Sequence, residues 1–454
     1  MYNLDVNFNS NTGKVKPLHA VNNGPVYKFT VDQRITNIDA FKEAGIPYAR
    51  NHDASFYATY GGEHTVDIIA IFPDFSKDVN DPASYDFVLT DEYIKATEYA
   101  GTRTFYRLGS KIEHWPVKYG TVKPADFNKW AEICEHIIRH YTESWADGFK
   151  YDLEYWEIWN EPDIPDDIPY VDRKCWSGTK KEFFELFETT AKHLKKCFPH
   201  LKIGGPAVIA CDNEWSMEFL DYCKKNDVPL DFFSWHRYTN TPQDIEEKMF
   251  IARKILDERG FTKTESILDE WNYVKGWTSD EWIYSLRTEK NLKGASLIAG
   301  VMSKAMYAPV DILMYYDARP CAMNGMFSTD FVCDKLKGYY PFWMFNKLYQ
   351  LDNGVECISD DDKICGCAAK GNGKAAVMLT YYDDVDEAEK VTVKLNLKNL
   401  KLISDNKPVV AKIYLLDKDN DAQIVREETL VGTDVSLYLN CDIFTTCLVT
   451  FETL

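Results

Sequence analysis

From residue 16 to about residue 316, short apolar runs alternate with stretches whose apolar residues recur at helical spacing. Eight runs read as strands: PLHAVN (17–22), GIPYAR (45–50), RTFYRLG (103–109), YWEIW (155–159), LKIGGP (201–206), DFFSWH (231–236), SILDEW (266–271) and VDILMYY (310–316). Helical periodicity fills TDEYIKATEYAG (90–101), ADFNKWAEICEHIIRHY (125–141), KKEFFELFETTAKHLKKCF (180–198), PQDIEEKMFIARKILDERG (242–260) and KNLKGASLIAGVMSKAMY (290–307). Helix ends fall near Gly101 and Gly260, where glycine accepts the left-handed turn. A ninth apolar run, VDIIAIF (66–72), is assigned to the long connection after the second strand.

This alternation predicts a parallel sheet covered by helices, in the α/β class. HAVNNGP, at the end of the first strand, lacks the GxGxxG spacing of a dinucleotide-binding sheet, so a (β/α)8 TIM barrel over residues 15–348 is expected. After GYYPFWMFNKL (338–348) the texture changes to short strands separated by turn signals, among them KAAVMLTYY, KVTVKLNL and PVVAKIYLL. These predict an antiparallel β-sandwich over residues 349–454, with residues 1–14 adding an edge strand. The apolar joining segment suggests that the last barrel helix docks this second unit through a dry interface.

At 454 residues the chain can bury a large core, and its formal charge of −19 opposes any general affinity for nucleic acid or anionic membranes. No apolar run approaches the roughly 20 residues that span a bilayer. The polar N-terminal segment lacks the form of a signal peptide, so a cytoplasmic protein is expected. Twelve cysteines are scattered from Cys134 to Cys447 without zinc-site spacing. Cys365 and Cys367 would point to one side of a strand, as core packing.

The candidate chemistry lies where strands end on polar groups. EYWEIWNEPD (154–163) runs apolar to Trp159 and then places Asn160 and Glu161 together, and ILDEWN (267–272) ends its run on Glu270. A lone glutamate at a strand end is as readily a salt-bridge partner or a cap. A barrel, however, gathers its strand C-termini on one face, bringing Glu161 and Glu270 together. Two carboxyl groups about 5–5.5 Å apart can cleave a glycosidic bond with retention of configuration.

WNEPD (159–163) resembles the Asn-Glu acid/base motif on the fourth strand of the large clan of (β/α)8-barrel glycosidases, and ILDEWN resembles that clan's nucleophile motif on the seventh. YARNHD (48–53), WSGTKKEFFELFETTAKHLKK (176–196) and FFSWHRY (232–238) point within the clan to glycoside hydrolase family 39, of β-xylosidases and α-L-iduronidases. The resemblance covers most of residues 16–316 and implies that Glu161 is the general acid/base, Glu270 the nucleophile and Asn160 a ligand of the sugar 2-hydroxyl. Arg50 and Tyr238 would keep Glu270 ionised and oriented, while proximity to Glu270 should raise the pKa of Glu161. His52, Asp53 and His236 are candidate partners of sugar hydroxyls, or satisfy loop backbone. Trp271 and Trp176 are candidate stacking rings, Trp115 a stacking ring or a loop packer, and Asn23 a sugar clamp or an ordinary turn residue.

The eighth strand departs from the family pattern: LMYYDARPCAMNGMF (313–327) stands where family 39 xylosidases usually carry a tryptophan and an acidic loop. Tyr316, Asp317 and Arg319 would then shape the nonreducing-end pocket. The expectation is a retaining, exo-acting β-xylosidase-like enzyme on short oligosaccharides, with β-galactosidase, β-glucosidase or arabinosidase activity as alternatives. A catalytically idle sugar-binding barrel is the alternative from another class. No cofactor or metal is expected, since no HExxH-type ligand spacing is present. The expected partner is an oligosaccharide or glycoside, with neither nucleic acid nor membrane; homo-oligomer formation is left open.

Overall fold

A computed structural model describes residues 1–29, 34–53, 65–329, 333–400 and 407–454. The chain opens with a long strand, β1 (Tyr2–Lys14), enters the first barrel strand, β2 (Ala20–Asn22), and makes a small hairpin of β3 (Tyr27–Phe29) and β4 (Arg34–Thr36). The remaining barrel strands are β5 (Tyr48–Arg50), β6 (Arg103–Leu108), β7 (Tyr155–Ile158), β8 (Lys202–Val208), β9 (Phe232–Thr239), β10 (Glu265–Tyr273) and β11 (Ile312–Tyr315). They close in the order β10-β11-β2-β5-β6-β7-β8-β9, all parallel, which is the expected TIM barrel.

The covering helices are α1 (Ile38–Ala44), α2 (Ile68–Ile71), α3 (Val88–Tyr99), α4 (Phe127–Glu143), α5 (Lys180–Cys197), α6 (Glu214–Lys225), α7 (Pro242–Glu258), α8 (Ser279–Glu289), α9 (Leu292–Ala305) and α10 (Tyr340–Tyr349). Local sequence explains their bounds. Thr179 and Glu182 form a reciprocal capping box at the start of α5, whose Phe183, Leu186, Phe187 and Leu194 face the core. Asp126 caps α4 through the amides of Asn128 and Lys129. The run at 66–72 holds only the short α2, inside the connection after β5 as expected. In α6 and α8, absent from the expected helices, charged residues dilute the apolar stripe, yet Asn213 caps α6 and its Trp215, Phe219 and Leu220 are buried.

A second sheet contains β12 (Asn353–Ser359), β13 (Ile364–Gly371), β14 (Lys374–Tyr381), β15 (Val391–Lys398), β16 (Val409–Leu416), β17 (Asp421–Leu430), β18 (Val435–Cys441) and β19 (Thr446–Thr453). Its order, β17-β16-β19-β14-β13-β12-β1-β15-β18, makes one nine-stranded sheet that bends over itself as a sandwich. Phe8 of β1 and Phe451 of β19 lie four strands apart in that order, yet their rings meet edge-on at 6.1 Å. The N-terminal strand corrects the expectation of an edge position: β1 lies inside the sheet, antiparallel to β12 and parallel to β15. Its alternation of buried Leu4, Val6 and Phe8 reports one covered face, which edge and interior strands share, so periodicity could not tell them apart.

One apolar core runs from the barrel into the sandwich, which also has a second core of its own. Phe342, Phe345 and Leu348 of α10 belong to the same buried cluster as Cys367, Ala369, Met378 and Leu448 of the sheet, while Ser296 of α9 hydrogen-bonds Thr380 across the contact at 2.7 Å. Uncovering apolar surface costs about 25 cal/mol for each Å². A chain truncated after Leu348 is therefore expected to be insoluble or to melt well below the full protein. A soluble truncated barrel with an unchanged melting temperature, measured by circular dichroism, would contradict this account.

Candidate active site

The polar turn after β7 is held by aromatics. Trp159 and Glu161 both have positive φ, 78° and 47°, a conformation costly for residues with side chains, on the order of 1–3 kcal/mol each. Backbone bonds fix it: Trp159 N–H donates to Leu108 O at 2.7 Å and Glu161 N–H to Ala207 O at 2.8 Å. The Trp159 indole donates to Cys175 O at 2.7 Å and meets Trp176 edge-on at 5.2 Å. The buried tryptophan thus anchors a strained turn that turns Asn160 and Glu161 toward the barrel axis.

On β10 the register slips against both neighbours between Leu268 and Trp271. This bulge breaks the alternation of a strand, so that the consecutive Asp269 and Glu270 both reach the barrel interior. It also corrects the reading of Trp271, which is buried and packs edge-on against Tyr315 at 5.4 Å instead of offering a face to solvent. Trp176 is likewise a core ring, wedged against Trp159 and Phe183 with its indole N–H on Thr179 O. Neither is a stacking surface. Trp115 is exposed.

Glu161, His236 and Glu270 converge, with one nitrogen or oxygen from each lying within 4.8 Å of the others. His236 Nδ1 is 2.8 Å from Glu161 Oε1 and 3.5 Å from Glu270 Oε2. Tyr238 donates to Glu270 Oε2 at 2.7 Å, and Arg50 Nη1 to Glu270 Oε1 at 2.8 Å. Arg50 also donates to Glu157 at 2.7 Å, to Asn160 Oδ1 at 2.6 Å and to Asn22 Oδ1 at 3.0 Å, with Asp269 Oδ2 3.1 Å from its Nε. Two groups in this layer, Glu157 and Asp269, escaped the sequence reading. The signal for Glu157 was present, as a charged residue inside the otherwise apolar YWEIW.

One guanidinium here faces three carboxyl groups. Burial opposes its charge, but Glu157, Asp269 and Glu270 together hold the Arg50 pKa above its ordinary value. Asp269 is pushed well above its ordinary value, by burial first and then by the adjacent Glu157, with Arg50 opposing the rise. Burial lifts Glu270 as well, and His236 and Arg50 oppose that rise. Glu161 reaches about 7, again through burial, with Arg50 pulling the other way. Burial dominates this shift, and the carboxylate that adds most to it is Asp53, where Glu270 was expected. Burial lowers the His236 pKa, and the charge of Glu270 opposes that shift.

The remaining candidates gather on the β2, β5 and β11 side. Asn23 accepts from the Asp53 amide at 3.0 Å and donates to Asp317 at 2.9 Å, Tyr316 donates to Asp53, and Arg319 lies 3.0 Å from Asp317. Asp317 is fully buried and braces this cluster from behind. His52 is also buried, with neither ring nitrogen hydrogen-bonded. Among the described residues two triads have metal-like spacing, Glu161-His236-Glu270 and Glu135-His193-Cys197. In the first, Arg50 already supplies positive charge beside Glu270.

A (β/α)8 barrel joined to a β-sandwich, with two carboxylates at its strand ends, has the architecture of the barrel glycoside hydrolases. Residues 31–304, more than half of the chain, match the model for glycosyl hydrolases family 39, and the chain belongs to this family. A β-xylosidase of Geobacillus stearothermophilus is 26% identical over 237 residues, 45% of this chain and 44% of that protein. A β-xylosidase of Caldicellulosiruptor saccharolyticus is 30% identical over 162 residues, 34% of this chain and 29% of its own length. The chain thus spans less than half the length of these relatives. The crystal structure of a glucosidase from Croceicoccus marinus shares the fold, with a TM-score of 0.80 at 22% identity over 100% of this chain and 99% of that one. Among the described residues no helix is long and apolar enough to cross a membrane.

The raised Glu161 pKa makes a stability prediction. The folded state binds this proton more tightly than the unfolded chain, so its contribution is complete below about 4.5 and is lost as pH rises through about 7. Glu161→Gln, which never ionises, is therefore expected to be more stable than wild type at pH 8–9 by about 1–3 kcal/mol, with the gap closing toward pH 4. Urea denaturation at the two pH values measures it; an equal gap at both would contradict the assignment.

Proposed function

We propose that the protein is a retaining, exo-acting glycoside hydrolase, β-xylosidase-like and acting on short oligosaccharides. The observation that carries this reading is the approach of Glu161 and Glu270, whose facing oxygens lie within 4.8 Å of each other. That closeness favours retention, for which the carboxyl groups stand about 5–5.5 Å apart, over inversion at about 6.5–9.5 Å. The sugar is suggested by the two β-xylosidases among the relatives.

In this mechanism Glu270 attacks the anomeric carbon as the bond to the leaving oxygen breaks, and Glu161 gives that oxygen its proton. A pKa of about 7 leaves Glu161 largely protonated below neutral pH, as a general acid must be. Once Glu270 is esterified its negative charge is gone, the Glu161 pKa falls, and Glu161 takes the proton of the water that releases the sugar. Arg50 and Tyr238 each occupy one oxygen of Glu270, holding it ionised and aimed. Asn160 gives its Oδ1 to Arg50 and leaves Nδ2 without a partner, a donor suited to the sugar 2-hydroxyl.

A panel of aryl glycosides should yield one fast substrate, and proton NMR of its first product should show the substrate's anomeric configuration. Inversion would sink the mechanism, and binding of sugars without turnover would favour an idle barrel. Glu270→Gln is expected to abolish glycosyl-enzyme formation without unfolding the protein. Glu161→Ala should lose about 10²–10⁴-fold on substrates with poor leaving groups and far less on activated aryl glycosides, with azide restoring the latter. Equal losses on both substrate types, without rescue, would remove Glu161 from the acid/base role.

A further inference from the structure

The second triad with metal-like spacing, Glu135-His193-Cys197, takes no part in the reaction described above. It joins two covering helices: Glu135 lies midway along α4, and His193 and Cys197 stand in the last turns of α5. Residues four apart share one face of a helix, so His193 and Cys197 point to the same side, where Glu135 meets them from α4. His193 Nε2 is 2.6 Å from Glu135 Oε2 and 3.9 Å from Cys197 Sγ. One ligand atom from each of the three lies within 4.8 Å of the other two.

An ion pair accounts for only part of this arrangement. An imidazole nitrogen has a single in-plane position for a proton or a lone pair, and the bond to Glu135 uses it, so the Cys197 sulfur crowds the same nitrogen to little effect. A cation set among the three atoms would bond all of them. Around a tetrahedral zinc, bonds of about 2.0–2.3 Å leave the donor atoms about 3.3–3.6 Å apart, so the observed 2.6 and 3.9 Å ask for shifts of less than about 1 Å. The His193 and Glu135 side chains are 29% and 15% exposed, and Cys197 is half-buried, which gives them room for those shifts and lets an ion and a water enter. Arg139 Nε holds Glu135 Oε1 at 2.8 Å, so Oε2 faces the histidine before any ion arrives. Arg139 also pairs with Glu143, which offsets its charge beside the site.

The donor set selects the ion. Imidazole and thiolate suit zinc and its neighbours in the first transition row, whereas calcium and magnesium take oxygen. Burial and the charge of Glu135 raise the Cys197 pKa, so the thiolate forms together with the metal bond, which displaces the thiol proton and the proton shared by His193 and Glu135. We propose that Glu135, His193 and Cys197, with a water as fourth ligand, form a zinc site that clasps α4 to α5. No motif announced it, because two of its ligands are four apart in HLKKC (193–197) and the third comes 58 residues before His193. In a (β/α)8 barrel the helices run back from the C-terminal ends of the strands, so the last turns of α5 lie toward the face opposite Glu161 and Glu270. The ion therefore stabilises the fold and has no role in glycoside cleavage.

The test uses the full chain without a histidine tag, stripped with a chelator and kept reduced by a phosphine. One equivalent of Zn(II) is expected to raise the melting temperature by several degrees. Co(II), as a spectroscopic stand-in, should give an intense near-ultraviolet sulfur-to-cobalt band and the visible bands of a four-coordinate ion. Cys197→Ser should abolish the near-ultraviolet band, and both Cys197→Ser and His193→Gln should weaken Zn(II) binding at least about tenfold in competition with a chelating dye, with circular dichroism showing each variant folded. If one variant folds poorly, the other carries the comparison. A wild type without the sulfur-to-cobalt band, or a band that persists in Cys197→Ser, overturns the site. Co(II) bound without that band lies elsewhere, as at the thiol-free triad of Glu161, His236 and Glu270, and overturns it equally. A melting temperature that bound Zn(II) leaves unchanged overturns the clasp.

Discussion

The Arg50 guanidinium organises the mouth of the barrel. From β5 it donates to Glu157 on β7, Glu270 on β10, Asn22 on β2 and Asn160 in the turn after β7. Few side chains could do this. A lysine would bring the same charge as a single point, whereas the planar fork of arginine distributes it along several fixed directions. The arrangement is also one-sided in energy: removing the cation would leave Glu157, Asp269 and Glu270 buried together, and an uncompensated buried charge costs about 3–5 kcal/mol.

Around this centre the backbone breaks local rules at two places, each of which sets one of the paired carboxylates. The turn at Trp159–Glu161 holds two side-chain-bearing residues at positive φ, and the bulge in β10 turns consecutive acids inward. Both departures are supported by aromatic packing, Trp159 against Trp176 and Trp271 against Tyr315. The tryptophans beside the two glutamates therefore have mechanical roles. They are the wedges that keep strained backbone from relaxing.

The same point explains what the sequence could and could not disclose. Eight apolar runs were legible as barrel strands because burial on both faces writes itself as continuous hydrophobicity, and a barrel then requires Glu161 and Glu270 to share a face. Trp271 was misread because a one-residue bulge has no compositional signal, yet it decides which way every later side chain points. Strand β1 was placed at an edge because sheet order depends on long-range pairing, which alternation in one strand does not encode. Local periodicity specifies an element and its buried face; neighbours and exceptions are settled by tertiary contacts.

The sandwich takes part in this arrangement through a polar contact as well as the shared core. Asp384, just after β14, accepts from Tyr273 at the end of β10 at 2.8 Å and from Asn240, just after β9, at 2.6 Å, and it pairs with Lys293 of α9 at 2.7 Å. Tyr382 adds a hydrogen bond to Asn240 O. These contacts land on the ends of β9 and β10, the two strands that carry His236, Tyr238 and Glu270. Strand ends in a barrel are the parts least restrained by the ladder, since their last residues have few partners beyond them. By tying both ends to the second sheet, the C-terminal half of the chain limits how far Glu270 and its hydrogen-bonding tyrosine can move apart.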